Sequence, residues 1–163
     1  MAATANNTIV FVLKASHARF HTYIDDLKPS EFAHQPFPGV NSVAWILGHL
    51  TLTDRRILGL LGAELPPIPD GFETRFKATR RPAEVQTHLG EPTEMISLFD
   101  AHRLKLIDAV QRATPEALNT PLPNPIAAAK TVGEAAAFMA VHVALHAGQV
   151  TLIRRSLGYP PVV

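Results

Sequence analysis

At 163 residues, with 47% hydrophobic and 18% charged residues, the chain suits one compact globular domain over residues 1–163. Fifteen basic and fourteen acidic residues leave a formal charge of +1, which excludes the strong positive field of a nucleic-acid-binding surface. Without cysteine there can be no disulfide, thiolate metal site or cysteine nucleophile, so a transition metal needs imidazole or carboxylate ligands.

Helical periodicity dominates, and no run of alternating strand residues stands out, so the chain reads as all-α. The first helix is expected from about Asn6 to Leu27, ending before Pro29. A second begins after Pro38-Gly39, with Asn41 or Ser42 as N-cap, and runs to about Leu61, where Gly62 can cap it. A proline-punctuated loop follows from Glu64 to Arg81, long enough to carry function or cover a site, with a short helix around 82–89. The third long helix starts near Glu91-Pro92 and reaches about Ala113. After a second proline-rich connection, Thr131 and Glu134 form a capping box that opens the last helix, which ends before Gly158. Four long helices describe a helical bundle. No run approaches the roughly 18–20 apolar residues of a membrane span. The stretch Ile9–Leu13 is too short for a signal-peptide core, so a cytoplasmic location with no membrane partner is expected. Arg80-Arg81 and Arg154-Arg155 read as isolated solvated pairs.

Eight histidines are many for this length, and their spacing is informative. His142 and His146 lie four residues apart, about 400° around the helix, which stacks their rings with Cβ atoms about 5–6 Å apart. They share the inward register of Phe138, Met139, Gln149, Val150 and Ile153. Two polar rings in a core need partners for their nitrogens, and one ion bound by both would serve. The pair alone also fits ordinary helix histidines, one exposed and one bonded to a carbonyl. His49 adds a third inward-facing donor from an apolar segment of the second helix, and Gly48 beside it admits a close approach by backbone or ligand. His17 and His21 repeat the spacing on the first helix, but among charged neighbours they read as pocket-rim groups rather than ligands. His102, between Phe99 and Leu106, can line the pocket, although a bond to backbone is the simpler role. His34 and His88 fall in solvated contexts.

These residues carry a family resemblance. The segment Asn41-Ser42-Val43-Ala44-Trp45-Ile46-Leu47-Gly48-His49-Leu50 resembles the second helix of the DinB/YfiT-like superfamily. His142-Val143-Ala144-Leu145-His146-Ala147-Gly148-Gln149, followed by Arg154-Arg155-Ser156-Leu157-Gly158, resembles its last helix. The resemblance implies a four-helix bundle of up-down-down-up arrangement and a metal held by three histidines, here His49, His142 and His146 by position. It also implies zinc or nickel as the ion, a homodimer, and a thiol-dependent activity using a low-molecular-weight thiol as found in some relatives.

Three imidazoles leave a coordination position open, the pattern of a catalytic zinc site. Such an ion can lower the pKa of water to about 7 or activate a thiolate. The zincin pattern places Glu directly after its first histidine; Val143 stands there instead, which disfavours a protease. No catalytic acid or base is evident. Thr53 and Gln149 lie one turn from the histidines and can orient water or a ligand ring, while Asp54 reads as a surface residue. The expectation is a metal-dependent S-transferase-like enzyme acting on a small molecule. The alternatives are a metal-dependent hydrolase and a non-catalytic metal-binding stress-response protein. Because histidine titrates near 6.5, metal affinity is expected to weaken below about pH 6.

Overall fold

The computed structural model describes residues 5–77 and 89–162. The short helix expected around 82–89, the Arg80-Arg81 pair and His88 fall outside the described residues, apart from Leu89, which is buried. The elements in chain order are α1 (Ala5–Ile24), α2 (Val43–Leu60), α3 (Phe72–Phe76), α4 (Pro92–Arg112), α5 (Pro115–Leu118), β1 (Pro121–Ile126), β2 (Ala129–Thr131) and α6 (Val132–Ser156). The molecule is mostly helical.

The caps lie where the sequence places them. The Ser42 hydroxyl accepts from the Trp45 amide and opens α2. Thr131 and Glu134 form the expected capping box at α6. Pro92 occupies the first turn of α4, where an amide proton would have no partner. Helix α1 ends at Ile24, three residues earlier than expected.

Among the long helices, α1 lies against α6 and α4, and α2 lies against α4 and α6. Their contact faces form two apolar clusters. One gathers Phe20, Ile24, Trp45, Leu47, Phe99 and Ile153. The other gathers Leu13, Ile57, Leu106, Val110, Ala136 and Met139. Burying each large apolar side chain there contributes about 1.5–3 kcal/mol.

Three expectations are corrected. A two-stranded antiparallel ladder joins β1 to β2, turning at Ala127 with φ 51°. Proline normally argues against a strand, yet Pro121, Pro123 and Pro125 recur at every second residue of a short edge ladder whose register shifts between Pro121 and Ile126. Arg154 is not a solvated residue. It is 4% exposed, donates to the Tyr23 carbonyl at 2.9 Å and pairs with Asp26, tying the end of α6 to the end of α1. Finally, α6 is long and apolar enough by composition to cross a membrane, with a mean hydropathy of 1.5 over its best window. The helix packs its buried positions, Ala135, Ala136, Met139 and Val150 among them, on α1 and α2.

Candidate metal centre

Helix α2 buries the stripe Leu47, Leu50, Asp54 and Ile57, and His49 stands half-buried on its flank. The Trp45 indole stacks on the His49 ring, with centroids 4.9 Å apart and planes 12° from parallel. Gly48 allows the buried Phe76 ring of α3 to sit against the α2 backbone: a Cβ there would meet Phe76 Cδ1 at 2.3 Å. The close approach expected at this glycine is therefore made by an aromatic side chain. The same residue turns its carbonyl to His49 Nδ1 at 3.4 Å. Gly48→Ala should destabilise the protein by about 1–3 kcal/mol, because a buried phenyl must move, outweighing the helix-propensity gain of about 1 kcal/mol. Thermal denaturation checks this, and an unchanged or raised midpoint would refute it.

Helix α6 stacks His142 and His146 one turn apart and aims both at His49. The Nε2 atom of His142 lies 3.3 Å from Nε2 of His49 and 3.1 Å from Nε2 of His146. The three ligating atoms lie within 4.8 Å of one another. Outward bonds set the ring orientations. His146 Nδ1 faces Gln149 Oε1 at 3.0 Å, and His49 Nδ1 faces the Phe76 carbonyl. Carbonyl oxygens only accept, so both Nδ1 atoms carry the proton and both Nε2 atoms present lone pairs to the centre. Converging lone pairs repel unless a proton or a cation lies between them.

Each neutral ring carries one proton, which on His142 can sit on Nε2 because its buried Nδ1 has no hydrogen-bond partner among the described residues; any further proton is disfavoured. Burial, and then the charges of His146, His49 and Arg103, push His142 down to about 3. Burial pushes His146 down to about 4 against the bond it donates to Gln149. Burial lowers His49 as well. Imidazole nitrogens sharing one ion at about 2.0–2.1 Å across a tetrahedral angle stand about 3.3 Å apart. The residues therefore fit a divalent ion, and their neutrality at pH 7 keeps the ligating nitrogens available.

The other expected site residues divide. Gln149 lies at an exposed position, yet its amide reaches His146. The Thr53 hydroxyl bonds back to the Leu50 carbonyl, and the residue lines a cleft beside His49. His102 is fully buried with Nδ1 on the Leu98 carbonyl at 2.8 Å, and it joins no histidine cluster among the described residues. His34 is half-buried and meets Ser156 Oγ. The expectation of a surface Asp54 is overturned: it is 0% exposed and takes a bidentate pair of bonds from Arg103 at 2.8 and 3.0 Å. Arg103 is what makes that burial tolerable. It was missed, although Phe99, Arg103, Leu106 and Val110 form one buried helical stripe on α4. His17 and His21 meet Asp100 of α4 in a separate cluster.

The cleft beside His49 has a volume of about 570 Å³. Its wall includes Phe76, Leu52 and Leu65, and its charged groups are Arg55, Arg56, Lys77 and Glu73, a net positive lining.

No curated protein matches the chain. Among solved structures, the crystal structure of a conserved protein from Enterococcus faecalis matches with a TM-score of 0.75 at 17% identity, covering 95% of this chain and 98% of that one. At that identity the likeness speaks for the fold. The DinB superfamily matches residues 13–150, a span that contains His49, His142 and His146. This chain belongs to the DinB superfamily.

Proposed function

We propose that this chain is a metal-dependent enzyme in which His49, His142 and His146 hold one divalent ion, zinc or nickel, beside a substrate cleft. The observation that carries this reading is the convergence of three Nε2 atoms, that of His142 lying 3.3 Å from His49 and 3.1 Å from His146, in a setting that disfavours added protons. An ion held by three imidazoles supplies Lewis acidity at an open position, acidifying a thiol or a water placed there. The chain's own residues do the rest. Gln149 and the Phe76 carbonyl fix two of the rings, and the Trp45 indole covers one face of His49. Arg55, Arg56 and Lys77 offer positive charge to a carboxylate-bearing substrate, which favours a low-molecular-weight thiol and an S-transferase-like reaction.

The same reading takes residues 1–163 as one cytoplasmic domain, with the four long helices as a four-helix bundle in up-down-down-up order. It pairs the chain with a second copy. Exposed Val141, Leu145 and Leu152, at 52%, 62% and 56%, form a stripe along α6 that supports a homodimer contact.

Zinc- or nickel-loaded protein should transfer small carboxylated thiols to an electrophile. Chelation, or His146→Ala, should empty the three-histidine centre and lower turnover by at least about 100-fold, since two of three ligands bind far more weakly. Ester or amide hydrolysis without thiol would replace this with the hydrolase reading. A metal that raises the melting temperature without turnover on any thiol, ester or amide would leave a non-catalytic metal-binding protein. Unchanged metal content in both His142→Ala and His146→Ala would reject the ligand assignment.

A further inference from the structure

We propose that His17 and His21 of α1 and Asp100 of α4 form a second divalent-cation site, separate from the three-histidine centre. Residues four apart on α1 put both rings on one face, and α4 packs on that face with Asp100 beneath them. His17 Nε2 lies 2.8 Å from Asp100 Oδ1, His21 Nε2 lies 2.9 Å from the same oxygen, and the two Nε2 atoms are 3.2 Å apart. Three potential ligand atoms thus form a compact triangle.

The proton inventory makes this triangle unusual. His21 Nδ1 lies 2.8 Å from Asp25 Oδ1, and a carboxylate can only accept, so Nδ1 carries the proton. Neutral His21 then presents an Nε2 lone pair to an oxygen of Asp100 and to His17. The alternative is an imidazolium, whose Nε2 proton and that of His17 can both be accepted by the two lone pairs of that oxygen. With the rings neutral, one cation relieves the conflict, because all three atoms can donate to it. The Asp25–His21 contact is the arrangement in which a carboxylate fixes a ligating imidazole and raises its basicity.

Charge supports the same conclusion. Two carboxylates, Asp100 and Asp25, adjoin these rings, whereas the three-histidine centre holds no anion among the described residues and feels the Arg103 guanidinium. The side chains of His17, His21 and Asp100 are 17%, 21% and 31% exposed, so an ion has a path from solvent. Bonds of about 2.0–2.2 Å make edges of about 2.8–3.1 Å at right angles, close to the 2.8, 2.9 and 3.2 Å of this triangle. Two imidazoles and one carboxylate on a single face suit a first-row divalent ion such as zinc, cobalt, nickel or ferrous iron, with the remaining positions left to water or ligand. Sequence alone set His17 and His21 at a pocket rim. Asp100, 79 residues from His21, changes that reading.

Zinc content after equilibrium dialysis tests the assignment. The unsubstituted chain should take two zinc ions, and Asp100→Asn or His21→Gln should take one. His146→Gln should also take one, and His146→Gln with Asp100→Asn should take none. The two sites fail distinguishably. If zinc content is the same in Asp100→Asn, His21→Gln and the unsubstituted chain, the second site is overturned whatever His146→Gln does. If only the Asp100 and His21 variants lose zinc, the second site stands and the three-histidine centre falls. Anomalous scattering at the zinc edge, from crystals of the unsubstituted protein soaked in zinc, gives a check that needs no variant. A peak between His17, His21 and Asp100 supports the site, and featureless density there overturns it.

Discussion

Replacing Arg103 with Met while Asp54 remains should destabilise the protein by about 3–5 kcal/mol, the usual cost of stranding a buried charge. For a chain of this size that corresponds to a melting temperature lower by about 10 °C or more. Both side chains are 0% exposed, and the guanidinium reaches both carboxylate oxygens. Burial pushes the Asp54 carboxyl up to about 6 even against the pull of Arg103, so the pair is ionised at neutral pH and depends on its geometry. Replacing both partners, Asp54→Leu with Arg103→Met, should recover most of the loss, because two apolar groups leave no charge stranded. A double variant as unstable as the single would show that the cost is one of packing. An unaffected single variant would show that Asp54 is protonated in the fold.

That ion pair marks where the sequence was legible and where it was not. The helix caps Ser42 and Thr131, the break before Pro29 and the inward register of His142 and His146 are all local signals, and the described elements follow them. The meeting of His49 with His142 and His146 needs only two helices whose apolar stripes face one core. Long-range polar partnerships lack such a signal. Nothing near Asp54 announces an arginine 49 residues away, and nothing near His21 announces Asp100. A charged residue on an otherwise apolar stripe was the available clue, present at Asp54 between Leu50 and Ile57 and at Arg103 between Phe99 and Leu106. The proline-marked ladder was hidden differently, since the rule against proline in strands weakens at an unpaired edge. Helix α3 was hidden by its length, because five residues show no periodicity, yet its Phe76 anchors Gly48 and faces His49.

Acidifying the metal-free protein from pH 6.5 to 4 should remove on the order of 3 kcal/mol through His146 alone. In the unfolded chain that imidazole takes up a proton near 6.5, whereas in the fold burial holds it at about 4. Between those values the unfolded state binds more protons, so stability falls as pH falls. His142, pushed down to about 3, acts in the same direction over a wider window. Asp54 opposes them: its carboxyl, raised to about 6, takes up a proton in the fold before it does so in the unfolded chain, which adds stability on acidification. The slope of the unsubstituted protein is therefore a sum, and the informative quantity is its difference from His146→Leu. Urea denaturation from pH 7 to 4 in the presence of chelator should give a flatter profile for the variant, even if its stability at pH 7 is lower. Parallel profiles would mean that His146 titrates normally and is not held neutral. The same depression revises the expectation that metal binding weakens below about pH 6. With His146 held at about 4, His142 at about 3 and His49 lowered as well, protons begin to displace the ion from the three-histidine centre only well below pH 6.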